Sequence, residues 1–166
     1  PKLFAMKKTV FTIALMALLL ISTSAYNQED QGIRKGDNAP SLVIENAEQS
    51  FDLAKMKGSY VLLTFWSSTD AQSRIDCNKY VSWKEANPAS NVKHVSINFD
   101  TEKVLFDEIV LRDGLDENAQ FNVQGSDAAG IVKDFRLANG FGSMLIDPQG
   151  KVVAINPSTS SLTSLS

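Results

Sequence analysis

Apolar and polar positions divide the chain into short segments. Residues 41–44 and 50–53 alternate around a polar turn at 46–49, the pattern of a small β-hairpin. Residues 60–66 are nearly all apolar and β-rich, as in a strand covered on both faces. Asp70 or Thr69 caps a predicted helix that runs to about Ala86 and stops at Asn87-Pro88. A strand over 92–99 follows. Next come a helix over 103–112 ending near Gly114, a short strand over 119–123, and a helix from Asp127 through Phe135 and Leu137. Residues 143–147 and 151–155 form a hairpin across Pro148-Gln149-Gly150, and 158–165 predicts a last helix. Strands alternating with helices predict an α/β fold, a mixed central β-sheet with helices on both faces.

The first 25 residues follow a different pattern. Lys7-Lys8 precedes an apolar run over 10–21 broken only by Thr12, and small residues lead to Ala25. This is the order of a secretory signal peptide cut after Ala25, with Met6 as the natural start and residues 1–5 upstream of it. The run is shorter than the roughly 20 residues of a membrane span. The expected domains are therefore 1–25 as signal peptide, 26–39 as flexible lead-in, and 40–166 as one folded domain. The protein is expected to be exported, periplasmic or extracellular, with no stable membrane span after cleavage.

Composition narrows the chemistry. The 166 residues carry 16 Lys+Arg against 19 Asp+Glu, a formal net charge of −3. Such a balance argues against nucleic-acid binding by phosphate neutralisation. One cysteine, Cys77, and one histidine, His94, exclude an intrachain disulfide and a Cys/His zinc cage, so neither metal nor cofactor is expected. His94 reads as a strand histidine with an ordinary hydrogen-bonding role. Asp113, Asp116 and Glu117 lack the ligand order of a calcium loop. Asp100, Glu102, Asp107 and Glu108 straddle a helix start, where acids complement the dipole.

Segments 36–40, 51–58 and 60–66, with the closing 145–153, resemble exported thioredoxin-like proteins of the TlpA/ResA type. These are thiol-disulfide oxidoreductases grouped with the alkyl hydroperoxide reductase and thiol-specific antioxidant superfamily. The resemblance covers roughly residues 36–155 and implies a thioredoxin fold with its site at the start of the helix after the central strand. It also implies a Cys-x-x-Cys motif there. The first thiol is activated by the helix N-terminus, and the second resolves the mixed disulfide. Counted from Trp66 and Arg74, those two positions fall on Asp70 and Ser73. The tryptophan before the first cysteine is replaced by Thr69. The buried acid of the central strand aligns with Thr64, and the proline before the last hairpin aligns with Phe141.

A carboxylate and a hydroxyl cannot exchange disulfides, and Asp70 is a good helix cap. The expected function is thus a redox-inactive, thioredoxin-like binding or accessory module. Trp66, Thr69 and Phe141 are candidates for lining a groove that takes a protein or peptide partner, although Trp66 and Phe141 serve equally as core residues. The alternative is a thiol-disulfide oxidoreductase or peroxidase using Cys77 alone. Cys77 lies one turn past Ser73, beyond most of the dipole's reach, and reads as a buried thiol. As an odd cysteine outside the cell it is also a candidate for dimer formation through an intermolecular disulfide.

Overall fold

The computed structural model describes residues 32–46 and 49–165. The signal-peptide reading of residues 1–25 lies outside the described residues. Strands are β1 (Val43–Glu45), β2 (Ser50–Asp52), β3 (Tyr60–Trp66), β4 (Val92–Asn98), β5 (Gln120–Asn122), β6 (Ser143–Ile146) and β7 (Val152–Ile155). Helices are α1 (Ala71–Ala86), α2 (Lys103–Asp113), α3 (Gly125–Asp134) and α4 (Thr159–Thr163). β1 and β2 pair antiparallel. The main sheet runs β5-β4-β3-β6-β7. β4 lies parallel to β3 and to β5, β6 lies antiparallel to β3, and β7 is antiparallel to β6.

The helix limits have local causes. Asp70 accepts the Ser73 N–H at 2.8 Å, one of the otherwise unpaired donors at the start of α1. Asn87, ahead of Pro88, closes α1 through its N–H to the Lys84 carbonyl. α2 ends at Gly114, whose φ of 66° suits a residue without Cβ. α3 corrects the expected cap: Gln124 precedes it and Asp127 falls inside its first turn. Gly125 itself enters the helix, which shifts the start two residues back. The lead-in is corrected too. The Gly36 N–H donates to the Val152 carbonyl at 2.7 Å and the Ala39 N–H to the Gly150 carbonyl at 2.9 Å. Residues 36–39 are thus tied to the β7 edge and are not a free tether.

Strand alternation gives the sheet two unlike faces. Val61, Leu63, Phe65, Val95, Ile97, Phe121, Met144 and Ile146 point one way into a wholly apolar core. Ile131 and Phe135 cover it from α3's end of the chain, with Ile44 and Phe51 of the β1–β2 hairpin. The opposite face carries Thr64, His94, Ser96, Asn98, Gln120 and Ser143, all buried. There α1 and α2 pack through Cys77, Val81, Phe106 and Ile109 around Trp66. Leu162 of α4 joins Leu62, Tyr80, Trp83 and Leu145. Burying six polar side chains on one face is tolerable only where they bond one another.

Candidate functional site

The carboxyl end of β3 leads directly into α1. Between them Ser67, Ser68 and Thr69 turn the chain, and the turn is held by Asp100 from beyond β4. Asp100 Oδ1 accepts from Ser67 Oγ at 2.7 Å, Ser68 N at 2.9 Å and Ser68 Oγ at 3.0 Å. Its Oδ2 accepts from Asn98 Nδ2 at 3.0 Å. Burial opposes the charge on Asp100, but the hydrogen bonds from Ser67, Asn98 and Ser68 outweigh it and hold the carboxyl below its usual range. The sequence places Asp100 beside a helix start. The structure turns it back against the β3–α1 loop, so it fixes that loop and does not complement a dipole.

Asp70 and Ser73 engage each other. Asp70 Oδ1 caps the Ser73 N–H, while Ser73 Oγ donates to the Asp70 carbonyl at 3.0 Å and accepts from Ser67 N at 3.3 Å. Ser73 is buried, Asp70 half-buried and Thr69 exposed. Arg74 pairs with Asp113, which ties α1 to the end of α2. The first turn of α1 is therefore closed by its own side chains, with oxygen at both positions where the resemblance implies sulfur.

Cys77 faces the sheet with 1% of its surface exposed. Burial pushes its thiol up to about 11, only partly offset by contacts with Ser96 and Gln120. Its Sγ lies 3.5 Å from Ser96 Oγ, and Gln120 Nε2 lies 4.0 Å from Sγ. A thiol with such a value is almost wholly protonated near neutral pH, so it is a poor nucleophile. An intermolecular disulfide needs a surface thiol, and the folded chain does not offer this one.

At the centre of the sheet, Thr64 takes the place aligned with the family's buried acid. Its Oγ1 lies 3.1 Å from His94 Nε2 and accepts from Ser143 Oγ at 3.3 Å. Ser96 Oγ also reaches His94 Nε2, at 3.2 Å. Burial lowers His94 to about 4, with Lys84 adding to the effect, so the ring is neutral at pH 7. A chain of hydroxyls and one imidazole thus runs from Ser143 to Cys77 with no carboxylate in it.

Two of the groove candidates separate. Trp66 is a core residue, 0% exposed, against Phe106 with ring centroids 6.2 Å apart, and lines no groove. It shares a face with Thr64 and so points under α2. Phe141 is half-buried and stacks on Phe99, centroids 5.0 Å apart and planes 23° apart. After it comes Gly142, where a Cβ would stand 3.0 Å from Asn156 Oδ1, the atom that accepts the Ser143 N–H. Among the described residues no peptide bond is cis. Nor is any group of three or more His, Cys, Asp or Glu side chains among them placed to hold a metal ion.

No protein-family model matches this chain, and no curated protein does. Solved structures do match. A thioredoxin-like protein from Parabacteroides distasonis is 28% identical, with a TM-score of 0.68 over 80% of this chain and 94% of that one. The thioredoxin domain of a thiol-disulfide oxidoreductase from Bacteroides vulgatus is 21% identical, with a TM-score of 0.69 over 80% and 94%. A thiol:disulfide interchange protein from Bacteroides sp. is 19% identical, with a TM-score of 0.69 over 81% and 89%. The fold is thioredoxin-like. The start of α1 after the central strand is where the family resemblance puts the redox pair of such proteins. In this thioredoxin-like chain the place is filled by the Asp70–Ser73 cap and the loop pinned by Asp100.

Proposed function

We propose that this chain is a redox-inactive member of the thioredoxin-like group that serves as a binding or accessory module. The observation that carries the reading is the mutual hydrogen bonding of Asp70 and Ser73 in the first turn of α1. Oxygen atoms there give a stable cap but have no accessible two-electron couple with a partner disulfide. The burial of Cys77 supports the same reading, because a single-cysteine enzyme needs a thiolate that substrate can reach. The half-buried Phe99–Phe141 stack and exposed Thr69 are the surfaces beside the site that a peptide or protein partner would meet. Export is part of the proposal, supported by the order of residues in 1–25. The processed chain would then begin near Tyr26, which its intact mass checks. No helix among the described residues is long and apolar enough to cross a membrane.

The experiment is turnover of insulin disulfides and of peroxide, with wild type and Cys77→Ser side by side. Both proteins should match the blank without protein. Turnover by wild type that Cys77→Ser abolishes would overturn the proposal in favour of a single-cysteine enzyme.

A further inference from the structure

A second concavity, separate from the start of α1, lies along the free side of β5. Its volume is about 600 Å³, within the range of small-molecule sites. No residue of the 66–73 segment lines it. Its walls are Phe106 and Val110 of α2 on one side and Ile44 of β1 with Val123 on the other, an apolar slot.

The polar groups around that slot all leave oxygen atoms for a ligand. Gln49 spends its Nε2 on the Glu117 carbonyl at 2.6 Å. Gln124 spends its own on the Thr101 carbonyl and Asn122 Oδ1, both at 3.0 Å. Gln120, 1% exposed, turns its Nε2 to Cys77, and its buried Oε1 has no donor. A buried acceptor without a partner costs on the order of 1–3 kcal/mol, so it is rarely left that way. Around the rim stand the carboxylates of Glu45, Glu117 and Asp127. None of the three forms an ion pair among the described residues. The cation in the lining, Lys103, is held by Asp107 at 2.9 Å.

Acceptors without donors, negative charge at the rim and an apolar slot between describe one ligand chemistry. We propose that this cavity binds a small aliphatic polyamine. Its ammonium groups would meet the rim carboxylates and the glutamine oxygens, while its methylenes would lie between Phe106, Val110 and Ile44. A neutral polyol of similar length supplies donors without charge and would leave the carboxylates unpaired. An anion would meet repulsion from three sides.

The test is calorimetric titration of the full chain with spermidine and with 1,4-diaminobutane, using 1,4-butanediol as the neutral control. Wild type should bind spermidine saturably and more tightly than the diamine, and the diol should give no binding. Glu45→Gln with Glu117→Gln, both at exposed positions, should weaken spermidine roughly tenfold or more, each tenfold being about 1.4 kcal/mol. Gln120→Leu should weaken it as well. If that buried change prevents folding, the exposed pair decides alone. No saturable binding, equal affinity in the Glu45/Glu117 variant, or equal uptake of the diol would each overturn the proposal.

Discussion

Lowering the pH from 7 towards 4 should remove about 3 kcal/mol of stability through His94 alone. The ring is buried between Thr64 and Ser96, and burial lowers it from 6.5 to about 4 in the folded chain. Unfolding exposes it to water, where it binds a proton below about 6.5. In that interval the unfolded state holds more protons than the folded one, so stability falls with pH. Above 6.5 both states are neutral and the contribution is complete. Below the folded value both are protonated and the loss levels off. At pH 5 the loss should already be about 2 kcal/mol, at about 1.4 kcal/mol per unit. Asp100 adds a later loss of the same sign. Its folded carboxyl titrates below its usual range, so its contribution is present above about 4 and disappears as pH falls through the lower folded value. Urea unfolding of wild type and His94→Gln between pH 7 and 4.5 separates the two. The variant, less stable at pH 7, should lose far less on acidification. An equal loss in both proteins would remove His94 as the cause.

Restoring sulfur at both positions, Asp70→Cys with Ser73→Cys, should give a disulfide on oxidation but a poor reductase. The two positions are one helical turn apart, and the first sits where helix amides favour a thiolate. Removing the Asp70 cap costs about 1 kcal/mol, which the fold should survive. Catalysis lacks two further parts that the family resemblance implies. Phe141, stacked on Phe99, stands where a proline would receive the substrate backbone. Thr64, bonded to His94, stands where a buried acid would move the proton. Adding Phe141→Pro should therefore raise insulin reduction at least tenfold above the double variant. Thr64→Asp should help further, and His94 at 3.1 Å gives the new carboxylate a partner that limits its burial cost. A double variant already as fast as an ordinary thioredoxin would show that only the sulfurs were missing.

Much of this fold is legible in the sequence because its signals are local. The run at 60–66 reads as a central strand because both of its faces are buried, and Asp70 and Asn87-Pro88 delimit α1 by cap and stop. Cys77 reads as buried because it lies a turn past the helix start beside Tyr80 and Val81. Other features depend on what the chain meets in space. Trp66 is a large aromatic residue at a strand end, and only strand parity with a covering helix tells core from groove. Asp100 looks like an ordinary acid before a helix until the loop of Ser67 and Ser68 is folded over it. Gln120 looks like any glutamine near a strand start, and its orphaned oxygen follows from a parallel pairing with Ser96 that no local pattern encodes. The polar face of the sheet was visible as scattered Thr, His, Ser and Asn residues. Its continuity appears only once β3, β4, β5 and β6 are in register.

The most direct measurement is the capture of a mixed disulfide, the covalent intermediate that any exchange through Cys77 must form. Native wild-type protein is held with oxidised glutathione at neutral pH, quenched with acid and weighed by intact mass. Native protein should gain no glutathione, whereas protein treated in denaturant should gain one per chain. Native protein that takes up glutathione as fast as the denatured chain would show an accessible, reactive thiol, and the account of a thioredoxin-like fold without thiol exchange would be wrong.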